Sequence, residues 1–159
     1  MGVKHSSNIL DTSDGEVKTF SSNQTIAISQ IDLIDTINSE FINSKVYKKI
    51  ENTLYFCRQT KQYKVIKLQD NEKLFQELQE QYENIKSVLT EDIQNSNMFR
   101  TTNGINKRKK IGKSDLLQIR TKDSGKYTPI VYEGKQFTNK KMAWYLTRNF
   151  IQQYLKDII

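Results

Sequence analysis

The chain has 159 residues, 36% of them hydrophobic and 10% aromatic, enough for one ordinary domain or two very small ones. Its formal charge of +7 is unevenly spread: residues 1–100 hold 12 basic and 14 acidic side chains, whereas residues 101–159 hold 13 and 4. A single cysteine, Cys57, and a single histidine, His5, leave no disulfide framework, no Cys-rich zinc module and no histidine pair for catalysis or metal binding.

Taken in chain order, residues 1–25 are rich in Ser, Thr, Asp and Asn without apolar periodicity, and a disordered leader is expected. They contain no apolar stretch of the secretory type, so an intracellular site is expected. Met1-Gly2-Val3-Lys4-His5-Ser6 fits the N-myristoylation pattern at Gly2. A polar leader is the preferred reading, because one acyl chain alone binds membranes only marginally. No apolar run in the chain is long enough to predict a transmembrane segment.

Ser29 and Asp32 resemble a helix cap, followed by Ile31, Ile34, Ile37 and Phe41 at helical spacing. The helix is expected to reach about Ile50, with an interruption near Asn43-Ser44. Thr53–Arg58 and Tyr63–Leu68, aromatic and β-branched across a polar turn, predict a hairpin with Tyr55 and Cys57 on one face and Leu54 and Phe56 on the other. Asp70 or Asn71 then caps an amphipathic helix whose stripe is Leu74, Leu78, Tyr82, Ile85 and Leu89. The pattern disappears from Gln94 to Ser114, which contains Lys107-Arg108-Lys109-Lys110. Beyond it, 116–121, 127–132 and 135–138 read as three short strands, with Glu133-Gly134 as a hairpin turn. A final helix is expected from Thr138 or Asn139 to about Ile158.

The predicted fold class is therefore α+β. A helix, β-hairpin and long helix form an interaction module over 26–93. A flexible basic linker follows over 94–114, and a three-stranded antiparallel sheet plus helix forms a basic βββα module over 115–159.

Basic clusters displace condensed counterions from phosphate backbones, so the charge split points to a polyanion met by one part of the chain. Lys107, Arg108, Lys109 and Lys110, with Lys113 behind them, are candidates for phosphate contact or nuclear import. On a helix over 139–158, Lys141, Tyr145, Arg148, Asn149, Gln152 and Lys156 would share one face free of acids. Their side chains are of the kinds that meet base edges and phosphates. Gly112-Lys113-Ser114 is not a P-loop, since position 107 is Lys where that motif needs Gly. Asp115, Asp123, Glu133 and Asp157 are the only acids of the basic third, and no spacing brings them together for metal-dependent chemistry. A non-catalytic protein without a cofactor is expected.

The stretch Gly134-Lys135-Gln136-Phe137-Thr138-Asn139-Lys140-Lys141-Met142-Ala143-Trp144-Tyr145-Leu146 resembles the hairpin-into-helix segment of HNH homing endonucleases and their AP2-type DNA-binding modules. The likeness extends to about 115–158 if the preceding strands are included. Lys140 stands where the nuclease histidine would be. The resemblance therefore implies DNA binding without cleavage. It also implies a sheet laid on DNA through Gln118, Arg120, Lys122, Lys126 and Lys135. The chain as a whole reads as a nuclear nucleic-acid-binding protein, with DNA favoured over RNA as the target. It would be an accessory subunit of a DNA-modifying or transcription complex, held there through residues 26–93. The alternative is a protein–protein adaptor whose basic third docks on an acidic protein surface.

Overall fold

The computed structural model describes residues 16–100, 116–122 and 126–159, and its fold class is α+β. Each helix starts where a short polar side chain satisfies a free backbone N–H. Asp32 accepts from Asp35 to open α1 (Leu33–Asn38), and Ser44 accepts from Tyr47 to open α2 (Lys45–Glu51). The predicted single helix is thus two, separated by a 3-10 turn at Phe41–Asn43. Asn71 accepts from Leu74 to open α3 (Glu72–Gln94), and all five residues of its predicted stripe are buried.

Among the described residues, eight strands accompany these helices: β1 (Glu16–Phe20), β2 (Ile26–Gln30), β3 (Thr53–Cys57), β4 (Tyr63–Val65), β5 (Leu117–Thr121), β6 (Val131–Tyr132), β7 (Lys135–Gln136) and β8 (Met142–Leu146). The first sheet has the order β1-β3-β4, with β1 parallel to β3 and the β3–β4 hairpin antiparallel. The predicted alternation holds in β3, where Thr53, Tyr55 and Cys57 are buried and Leu54 and Phe56 half-buried. The second sheet has the order β2-β8-β5 and is antiparallel throughout, with a bulge at Ile28 in β2. β6 and β7 form a small hairpin by themselves, turning at Glu133 and Gly134, both at positive φ.

Four expectations are corrected. Residues 16–20 belong to the predicted leader but pair with β3 as a strand, a long-range contact that local composition does not reveal. The predicted sheet of 116–121, 127–132 and 135–138 does not form: β5 pairs with β8 instead, and the other two segments supply only β6 and β7. The predicted helix from Thr138 or Asn139 is a strand through Leu146. Only α4 (Arg148–Tyr154), capped by the Thr147 hydroxyl, and a 3-10 turn at Lys156–Ile158 are helical. Finally, β2 of the predicted front module pairs with β8 of the predicted basic module, so the two share a sheet and one hydrophobic core. The segment 101–115, most of the predicted linker, and residues 1–15, with Gly2, lie outside the described residues.

Helix α3 covers the inner face of the second sheet. Tyr82 stacks on Trp144 with ring centroids 5.2 Å apart, and both rings are fully buried. Beside them, Gln81 Oε1 accepts from the backbone N–H groups of Leu116 and Leu117 at 2.7 and 2.8 Å and fixes where β5 begins. Phe41 meets Tyr82, Phe75 and Tyr47 at the other side of the helix, and Phe150 of α4 meets Tyr55 of β3. The second sheet therefore has one face sealed by α3, which leaves its other face to carry polar side chains.

Candidate nucleic-acid interface

Side chains alternate across a strand, so the register of the second sheet assigns its outer face. Leu117, Ile119, Trp144 and Leu146 point inward and are buried. The outer face then has two paired rows and an extension. Gln118, Tyr145 and Ala27 stand abreast, and next to them Arg120, Ala143 and Gln30. One step further the Lys122 N–H donates to the Lys141 carbonyl at 2.8 Å, which sets these two lysines opposite each other.

Ala143 is small, and the Arg120 side chain leans across it toward the diagonal neighbour. The guanidinium carbon lies 5.7 Å from the centre of the Tyr145 ring, and Nη1 donates to Thr25 Oγ1 at 3.4 Å. A cation over a ring at an exposed site contributes about 0.5–1 kcal/mol, so this pair is a modest structural contact as well as a charged platform. Like charges placed directly across strands are destabilising, as Lys122 and Lys141 are. No ion pair involves Arg120, Lys122 or Lys141 among the described residues. None of β2, β5 and β8 contains an acidic residue.

Among the described residues, several acids are engaged in ion pairs of their own. Lys45 Nζ, 2.5 Å from Asp32 Oδ2, hydrogen-bonds that carboxyl and holds it below its usual range. Lys64 does the same to Asp157. Lys49 bonds Glu16 at 3.0 Å. Helix α3 holds Glu72, Glu77, Glu80, Glu83, Glu91 and Asp92, so the element behind the second sheet is acidic where the outer face is basic.

Of the residues singled out by the sequence, Gln118, Arg120, Lys122, Lys141 and Tyr145 come together on this outer face. Tyr145 and Lys141 do so from β8 and its entry, not from a helix, which corrects the predicted helical face. Arg148 and Gln152 are exposed one turn apart on α4, and no hydrogen bond or ion pair joins them to the sheet face among the described residues. Lys126 and Lys140 are exposed in the loops that flank the hairpin. Lys135 is turned aside: its Nζ donates to Ser96 Oγ at 2.7 Å, after the end of α3. Lys107, Arg108, Lys109, Lys110 and Lys113 lie outside the described residues.

Sequence reasoning missed Gln30, which is exposed opposite Ala143, and Thr25, the acceptor for Arg120. Both flank or belong to β2, whose signal was the alternation of Ile26 and Ile28 with small residues in Thr25–Ser29. Among the described residues, no three His, Cys, Asp or Glu side chains gather as metal ligands, and no helix is long and apolar enough to cross a membrane. What the outer face can do chemically is attract anions, donate several hydrogen bonds and offer a planar cationic surface.

The segment resembling the HNH-associated and AP2-type modules runs through β7, a turn and β8 before any helix starts. No family model, no curated protein and no solved structure matches the chain.

Proposed function

We propose that the chain is a non-catalytic nucleic-acid-binding protein whose contact surface is the outer face of the β2–β8–β5 sheet. One observation carries the reading. Arg120, Lys122 and Lys141 share a face built from three strands without an acid, and two of these cations oppose each other without a described counter-charge. Such an arrangement is unfavourable in the free protein and is relieved when a phosphate enters between the lysines. The block Lys107–Lys110 adds sequence-independent phosphate contacts and, in this reading, serves nuclear import. The protein acts as an accessory subunit, with DNA its expected target.

The test is a polarisation titration of the full chain against nucleic acid across a range of salt. Each neutralised phosphate contributes about −0.7 to −0.9 to the slope of log K against log salt, so three contacts give roughly −2 to −3, and more with the basic block. Weak binding with a flat salt response sinks the proposal.

The adaptor reading has an observation of its own. A groove of about 540 Å³ runs between Ser29–Ile34 and Pro129–Tyr132, and next to it Ile34 and Val131 are 66% and 58% exposed. A partner complex that survives nuclease treatment and is lost on Ile34→Asp favours that reading.

A further inference from the structure

We infer that the ligand of this face is single-stranded nucleic acid, bound by stacking of unpaired bases on the Arg120–Tyr145 pair. The inference rests on the proposed function and narrows it.

Arginine recognises a base in a duplex through its edge, with the guanidinium fork projecting into a groove. Arg120 is arranged otherwise. Its guanidinium is drawn toward the Tyr145 ring and tethered by Thr25 Oγ1, so it lies over the sheet instead of standing out from it. In this proposal the guanidinium, held along the face, is the surface a base is laid on. A duplex hides the faces of its bases inside the stack, whereas a single strand offers them, and bases stack on both aromatic rings and arginine planes.

The flanking groups suit the backbone of the same strand. Lys122 lies two residues on from Arg120, about 6.6 Å along the strand on the same face, and Lys141 stands opposite Lys122. Beyond Lys141 the Thr128 N–H donates to the Asn139 carbonyl, which brings Tyr127, 70% exposed, to this end of the sheet. The Tyr127 hydroxyl donates to Gln136 Oε1 at 3.1 Å, so this exposed ring stands by the β6–β7 hairpin, next to the end of the sheet that carries the two lysines. Cations that track phosphates between rings that take bases are the general format of single-strand binding. Charge complementarity and the seating of Arg120 along the face commit the surface to a single strand.

The experiment uses the full chain with three labelled probes of equal length: oligothymidylate, oligouridylate, and the oligothymidylate–oligoadenylate duplex. One or both single strands are expected to bind at least about tenfold tighter than the duplex, the effect of losing roughly one stacked base. The stronger of the two identifies DNA or RNA as the source. Arg120→Lys keeps the charge but not the plane and should lower single-strand affinity about tenfold while leaving duplex affinity nearly unchanged. Tyr127→Ala, at an exposed site that the core does not need, should weaken the single-strand complex in the same direction. Equal or tighter duplex binding overturns this inference and leaves the proposed function standing, as does single-strand affinity unchanged in both variants. Absence of binding to all three probes overturns the proposed function itself.

Discussion

Two buried side chains on one turn of α3 show how much of the molecule hangs on single residues. Gln81 lies within α3, yet its Oε1 takes two backbone N–H groups from the start of β5. Neither donor has water to turn to, since Leu116 and Leu117 are fully buried. Gln81→Met keeps the volume and removes the acceptor, and a buried donor without a partner costs about 1–3 kcal/mol. Urea unfolding of the variant is expected to show a loss in that range or somewhat above it. A loss below a few tenths would mean that β5 is anchored some other way.

Its neighbour Tyr82 is sensitive to base. Burial is the first cause that pushes its phenol from an ordinary value of 10.0 up to about 12, with the Asp35 carboxylate adding to it. The unfolded chain ionises first, so stability is complete below pH 10 and falls as the pH rises from 10 to 12. If Tyr82 alone is counted, the fall amounts to about 2–3 kcal/mol. Tyr82→Phe should flatten that part of the stability curve. An unchanged slope between pH 10 and 12 counts against the assignment.

At the scale of elements, legibility followed the range of the contacts. Helix α3 could be read because Leu74, Leu78, Tyr82, Ile85 and Leu89 repeat locally and Asn71 caps the first turn. The β3–β4 hairpin could be read for the same reason: both strands and their turn lie within 53–65. β1 and β2 could not, because one pairs with β3 across the whole α1–α2 region and the other with β8 near the far end of the chain. β8 was misread as helix for a physical reason. As the central strand it buries Met142, Ala143, Trp144 and Leu146, which erases the alternation that marks a strand with one solvated face. With Phe150, Ile151 and Tyr154 following in α4, Ala143 and Leu146 then mimic a helical stripe. The site was legible in part. The resemblance to AP2-type modules pointed to Gln118, Arg120 and Lys122, and side-chain type on an expected helix face pointed to Lys141 and Tyr145. What brings them together is the β5–β8 register, and that depends on pairing no local pattern encodes.

For the whole molecule, the consequence of that pairing is cooperativity. The basic C-terminal strands are not a module appended to an independent front half. β8 is flanked by β2 on one side and β5 on the other, and its Trp144 rests on Tyr82 of α3. The buried residues of both halves form a single cluster from Phe20 to Ile158. Two optical signals can follow the parts separately. Trp144 is the only tryptophan, so its fluorescence reports the second sheet, while the 23-residue helix α3 dominates the far-ultraviolet signal of the helices. Units joined only by a linker would lose these signals at different denaturant concentrations. A shared sheet and core require both to vanish in one transition with one midpoint and one slope. Nucleic acid bound to the outer face should then raise the midpoint of both signals together, because binding to the folded state alone stabilises everything that unfolds with the site. If ligand moves the tryptophan transition and leaves the helical one in place, the front half folds on its own and the shared core does not couple them.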